Sequence, residues 1–255
     1  MADRLTSRLV LSAAARAGAP TNLWFTERQL YYEICRLMVP GHLIPRWIGF
    51  TVPPVLPFSL VRTWIRRCPG VDGLLGDPEP VSSDTGAATA EPDLFDYALP
   101  RLLICQSPAV ADMLRANGLP MESACPVICV DDLPLHSGLA RMLHTTSLTD
   151  DGARIYVLHD DSPSGLTLPA SIAAMIEVPD SATVVPIGLR RSQTAPLHLA
   201  RTGLGRRSAV DVESVPPAML LRSVHRLVRD VTRRREPAVD LRAARAAGFL
   251  TWPDH

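Results

Sequence analysis

Lysine is missing altogether: all 26 residues in the lysine-plus-arginine count are arginine, and 26 acidic residues balance them to a formal net charge of zero. A zero balance excludes a global field that would draw the chain to nucleic acid or a membrane surface. The lack of lysine means that any phosphate contact is made by a guanidinium fork. The bias goes with abundant alanine, proline and leucine and reads as a GC-rich coding sequence, not as a functional signal. Cysteine is sparse. Cys35, Cys68, Cys105, Cys125 and Cys129 form no CxxC pair and no zinc spacing. Cys105 and Cys129 lie in apolar runs and read as small core residues. The odd count and the lack of a signal-peptide pattern predict a reducing, cytoplasmic setting. No apolar segment is long enough to span a bilayer. There is no GxxxxGK[ST] nucleotide-binding motif and no internal repeat.

What is present is ample material for a core: 47% of the 255 residues are hydrophobic, enough for one large or two ordinary domains. The chain is organised around the stretch RIYVLHDDSPSGL that begins at Arg154. Ile155, Tyr156, Val157 and Leu158 suit a buried parallel strand. Asp160 and Asp161 follow, and then Ser162-Pro163-Ser164-Gly165 supplies turn chemistry. A helix is predicted over Leu166–Val178. Two carboxylates therefore sit at the carboxyl end of a strand, where open α/β sheets bind ligands, and acidic oxygens there suit Mg2+. The competing reading is that Asp160 or Asp161 only caps the next helix.

Taken in order, Leu5, Leu9 and Leu11 alternating with Arg4, Arg8 and Arg16 predict an amphipathic helix over Leu5–Ala17. Thr26 and Gln29 match a capping box, and Leu30, Ile34, Leu37 and Met38 give the apolar face of the helix behind it. Tyr31 and Tyr32 are one step, about 100°, apart on that helix, so they are not both expected to face its core. They read either as partly buried packing residues or as holding a phenolic nucleophile. Prolines 40, 45, 53, 54 and 57 favour edge strands and turns, and a β-wing after two or three helices fits. Ser59–Arg67 reads as a basic helix whose Arg62, Arg66 and Arg67 either follow a phosphate backbone or form a solvated face.

Pro69–Asp93 has almost no large apolar side chain after Leu75 and reads as a linker. After it, strands are predicted at Arg101–Cys105, Pro126–Val130, Ile155–Leu158 and Ala182–Leu189. Helices are predicted at Ser107–Asn117, over SGLARMLHTTS from Ser137, and at Pro217–Arg234, the last with Leu220, Leu221, Val224, Leu227, Val228 and Val231 inside. The alternation implies a parallel sheet covered on both faces. The expected division is a winged-helix-like domain at 1–68, a flexible linker at 69–97, an α/β domain at 98–234 and a tail at 235–255.

Two elements together resemble one family. TERQLYYEICR, with Thr26, Arg28, Leu30, Tyr31 and Tyr32, is similar to the catalytic-tyrosine motif of the type IIB topoisomerase A subunit and its relative, the meiotic double-strand-break transesterase. LLICQSPAVADML, VLHDDSPSGL, VVPIGLR and VDVESVPPAMLL resemble successive pieces of the same family's Toprim domain. The departures are specific. Gln106 stands where the family has a metal-binding Glu, and Ser162 stands where it has the second Asp of its aspartate–x–aspartate–proline–x–glycine turn. Asp161 fills the variable position between.

The resemblance implies a winged-helix-like domain followed by a Toprim-like one, with Tyr32 attacking a DNA phosphate and Arg28 stabilising the charge. It implies Mg2+ held around Asp160, Asp161 and Gln106, with two carboxylates where the family has three. Asp131, Asp132 and Glu213 join only if the fold brings them near. It also implies DNA as partner, a homodimer in which the tyrosine of one subunit meets the Toprim site of the other, and a separate ATPase subunit. Three functions are open: a topoisomerase-type transesterase, a non-catalytic Toprim-like scaffold that binds DNA or a partner, and a Toprim nuclease that does not use Tyr32.

Overall fold

The computed structural model describes residues 2–39, 51, 53–68, 70–76, 100–135, 137–147, 152–176, 182–203 and 208–229. Helix α1 (Ala2–Ala17) packs on α2 (Glu27–Met38), and both pack on α3 (Phe58–Arg67). The face α1 buries is Val10, Ala13, Ala14 and Ala17, a helical repeat of small side chains, while Leu5 and Leu11 are exposed. Of the three leucines only Leu9 packs on the helical core, and it does so partly buried. Small residues line the α1 contact because they let two helix backbones lie close together.

The capping box predicted at Thr26 is present: Thr26 Oγ1 accepts from the Gln29 N–H, and Gln29 Oε1 accepts from the Thr26 N–H. Leu30 and Ile34 are fully buried, but Met38 is exposed. Residues 40–50, where edge strands were expected, lie outside the described residues. The start of the expected linker is not loose: Phe25 pairs with Leu74 as an isolated parallel bridge, through Phe25 N–H to Gly73 O and Leu75 N–H to Phe25 O. Residues 77–99 and 230–255 lie outside the described residues.

The second half is an α/β unit. Its strands are β1 (Arg101–Cys105), β2 (Val127–Cys129), β3 (Arg154–Leu158) and β4 (Thr183–Gly188), all parallel, in the order β2-β1-β3-β4. Between them run α4 (Pro108–Ala116), α5 (Leu119–Ser123), α6 (Ser137–Ser147) and α7 (Pro163–Met175). After β4 come α8 (Arg191–Thr194), a 3-10 turn (Val212–Ser214) and α9 (Pro217–Val228).

Strand alternation sorts the core into two layers. Leu103, Cys105, Tyr156 and Leu158 face α4 and α9, whereas Leu102, Ile104, Ile155 and Val157 face α6 and α7. The sheet is covered on both sides, which is why its strands read as unbroken apolar runs. On α9, Leu220, Val224 and Val228 are buried, while Leu227, expected inside, is exposed. Among the described residues no helix is long and apolar enough to cross a membrane.

Candidate functional site: a tyrosine–arginine–carboxylate cluster between the two halves

The paired tyrosines of α2 sit in the interior of the chain. Both are buried, Tyr31 at 5% and Tyr32 at 2% exposure. The helical step of about 100° is respected, but α2 is covered on more than one side. Tyr31 packs edge-on against Phe58 of α3 and donates its hydroxyl to the Leu56 carbonyl at 2.7 Å. Tyr32 turns to the 3-10 turn of the α/β unit and donates its hydroxyl to Asp211 Oδ2 at 2.6 Å.

Asp211 is shared. Arg28 lies one helical turn before Tyr32 and sends Nη1 to the same Oδ2 at 2.9 Å. Arg28 Nε lies 3.9 Å from Glu213 Oε2, and Glu213 Oε1 accepts from Thr26 Oγ1 at 2.8 Å. One turn beyond Tyr32, Arg36 Nη2 donates to the Ser214 carbonyl. Thus Thr26, Arg28, Tyr32 and Arg36 of one chain grip residues 211–214 of the same chain. Within this one chain the tyrosine meets the α/β unit of its own subunit.

The carboxyl end of the sheet reaches this cluster through Asp160. Its Oδ1 accepts the Val212 N–H at 2.7 Å, which fixes the 3-10 turn against the end of β3. Burial, followed by the neighbouring Asp211 charge, raises its affinity for a proton, against the pull of the Val212 N–H. Burial raises the Tyr32 phenol above its ordinary value, and the charge and hydrogen bond of Asp211 add to that; Arg28 opposes it. The neutral phenol is therefore the favoured form. Burial also pushes Glu213 up to about 7, with Asp211 and Asp160 adding to it against the pull of Thr26 and Arg28.

The expected metal set is not brought together as such. Gln106 Oε1 accepts the backbone N–H of Asp160 at 2.9 Å and so holds the β1 and β3 ends in register. Asp161 faces the other way: its backbone pairs with Val210, and its Oδ2 lies 3.4 Å from Thr194 Oγ1 and 3.9 Å from Arg201 Nη2. Neighbouring residues in extended chain point to opposite sides, so one of the two aspartates had to leave the crevice.

Neither caps α7. That role belongs to Ser162, whose Oγ accepts the Gly165 N–H at 3.0 Å. Asp131 and Asp132 are exposed, and Asp132 accepts the Cys129 N–H. Among the described residues no group of three or more His, Cys, Asp or Glu side chains is arranged to hold a metal ion. Gln106, Asp160 and Asp161, each committed to a different protein partner, do not fit the Mg2+ that the resemblance implied, and no step below passes through a metal.

A groove of about 530 Å³ opens beside the cluster, lined among others by Thr26, Arg28, Arg62, Arg66, Ser107 and Glu213. Arg62 is paired with Glu27 at 3.0 Å. Arg66 is exposed on the groove wall; Arg67, also exposed, is not part of the lining. Asp211 is the functional candidate that the sequence reading missed. Its signal was the alternation Val210-Asp211-Val212-Glu213, which sends valines to the core and acids to the opposite side.

No family model, curated protein or solved structure matches this chain. The geometry therefore stands on its own physical chemistry, and two expected results follow from it. Thr26→Ala removes the cap of α2 and leaves Glu213 without its hydroxyl donor. A lost cap costs about 1 kcal/mol and a lost buried hydrogen bond about as much, so stability should fall by roughly 2 kcal/mol. Thr26→Ser should recover most of it in urea denaturation.

The second result concerns pH. Glu213 binds its proton more tightly folded than unfolded, so its contribution is complete below the unfolded value near 4.5 and is lost as pH rises through about 7. Glu213→Gln should flatten the fall in stability across that window, by an amount on the order of 3 kcal/mol at most. Melting temperatures of the two proteins at pH 5 and pH 8 would check it, and parallel curves would refute it.

Proposed function

We propose that this chain is a DNA-binding protein like the topoisomerase type IIB A subunit, with a winged-helix-like helical half and a Toprim-like α/β half, and that it acts on DNA by tyrosine transesterification. The observation that carries the reading is the convergence of Tyr32, Arg28 and Asp211 at the carboxyl end of a parallel sheet. In this reading the Tyr32 oxygen forms a bond to a DNA phosphorus while the bond from that phosphorus to the 3′-oxygen breaks. The phenolic proton passes to water, and the departing 3′-oxygen takes a proton from water. Arg28 stabilises the charge that grows on the phosphate. The protein ends joined to a 5′ phosphate. A homodimer, a separate ATPase subunit and a cytoplasmic setting belong to the same proposal.

The experiment is covalent trapping. The protein is mixed with supercoiled DNA and Mg2+ or Mn2+, then denatured, and DNA ends are examined for attached protein. Adducts on 5′ ends that vanish in Tyr32→Phe support the reading. One specific observation favours a second reading, a scaffold that binds DNA or a partner without cleaving: Gln106 and Ser162 are spent on a strand register and a helix cap. That reading expects no adduct, together with DNA binding that weakens with salt and persists in Tyr32→Phe.

A further inference from the structure

The four groups that α2 presents to the α/β unit are all hydrogen-bond donors. Arg28, Tyr32 and Arg36 recur every fourth residue and so share one helix face, with the Thr26 hydroxyl at its amino end. The acceptors they meet on the α/β unit all come from one short stretch, Arg36 also pairing with Glu33 of α2 itself. The Asp211 carboxylate takes the Tyr32 hydroxyl and an Arg28 N–H on a single oxygen, the Glu213 carboxylate takes Thr26, and the Ser214 carbonyl takes Arg36. An oxyanion held at once by a phenol and by a guanidinium is the arrangement that a non-bridging phosphodiester oxygen would take beside Tyr32, with its phosphorus next to the phenolic oxygen.

The acids do not serve the α/β core. That is the work of Val212 and Val215, which are buried in it. Asp211 and Glu213 instead bring two acidic groups close to Asp160, and ionising them together is costly unless donors from α2 offset it. With the stretch in place Tyr32 is 2% exposed, so no phosphorus can reach its oxygen.

We propose that the Asp211–Ser214 stretch is an internal mimic of the DNA phosphodiester: it fills the anion site on α2 and masks Tyr32, and DNA takes that site only when the two halves of the chain separate. This rests on the reading of DNA as the ligand. The stretch itself is tied down on its own side, by the Asp161–Val210 backbone pair and by Val212 N–H on Asp160. The helical half is therefore the part that moves. Elsewhere the contact between the halves includes polar hydrogen bonds, such as those joining Trp24 and Asn117, and polar interfaces of that kind open readily.

The test is the affinity of the full chain for a short DNA duplex, followed by fluorescence anisotropy. Asp211→Asn combined with Glu213→Gln should bind roughly tenfold more tightly than the parent, because Arg28 is no longer neutralised within the chain. A control, Glu122→Gln with Asp131→Asn, removes the same two charges from exposed positions away from α2 and should change affinity far less. Adding Arg28→Ala to the first variant should abolish the gain. An equal gain in the control, or a gain that survives Arg28→Ala, overturns the proposal.

If the double variant does not fold, Glu213→Gln alone, whose amide oxygen still accepts from Thr26, carries the same expectation at roughly threefold. The two readings fail separately. A gain without any covalent adduct keeps the anion site and removes the transesterase, whereas an adduct without the gain removes the mimic alone.

Discussion

Tyr32→Phe should leave the fold standing and abolish covalent capture of DNA. The phenolic oxygen is the atom that would bond to phosphorus, and phenylalanine has nothing to replace it, so the adduct yield should fall by at least about a thousandfold. The structural cost is small by comparison. The ring stays packed, and Asp211 keeps the 2.9 Å bond from Arg28, so its carboxylate is not orphaned. What is lost is one buried hydrogen bond to a charged acceptor, worth about 1.5–3 kcal/mol. Tyr31→Phe is the matched control. Its hydroxyl donates to the Leu56 carbonyl, not to Asp211, with the Cys35 thiol beside it, and its removal should cost about 1 kcal/mol while adducts persist. Adducts that survive Tyr32→Phe, measured after denaturation and nuclease digestion, would move the nucleophile elsewhere.

Gly165→Ala should damage the α/β unit itself. Gly165 lies in the first turn of α7, where that turn presses on the end of β3. A Cβ there would stand 2.2 Å from the Asp160 carbonyl oxygen and 3.0 Å from Gln106 Oε1. The first contact is with backbone, so no side-chain rotation relieves it, and the β3–α7 turn has to open. Alanine favours a helix over glycine by about 1 kcal/mol, but forced overpacking against backbone costs about 1–3 kcal/mol or more. The clash should win, with a net loss of roughly 2 kcal/mol and a displaced Asp160. An alanine variant as stable as the parent in urea denaturation would show that the turn yields freely. Gly165 thus has a steric reason to be glycine in this chain, independent of any metal.

Local features of the sequence settled local features of the fold. The apolar runs at Leu102–Cys105 and Ile155–Leu158 are strands because a strand buried on both faces is apolar throughout and runs this short are too brief for a buried helix. The alternation of such runs with helical stretches dictated a parallel sheet, and Thr26 with Gln29 fixed the start of α2 through hydrogen bonds that span three residues. Where two faces of one helix compete, the pattern misled. On α1 Leu5 and Leu11 are exposed while Ala13, Ala14 and Ala17 are buried, and on α2 both tyrosines are buried, because a second half of the chain covers the side that a lone helix would leave to solvent.

The site was decided by tertiary structure. Tyr32 and Asp211 are 179 residues apart, and Thr26 and Glu213 are 187 apart; no short-range period encodes their meeting. Asp160 and Asp161 were indistinguishable as letters, yet the pleat sends one toward the 3-10 turn and the other to Thr194 and Arg201. Gln106 and Ser162 were legible only as departures from a motif. The fold gives them their work, a register bond and a helix cap, because a backbone N–H left unpaired in those positions costs more than a changed side chain.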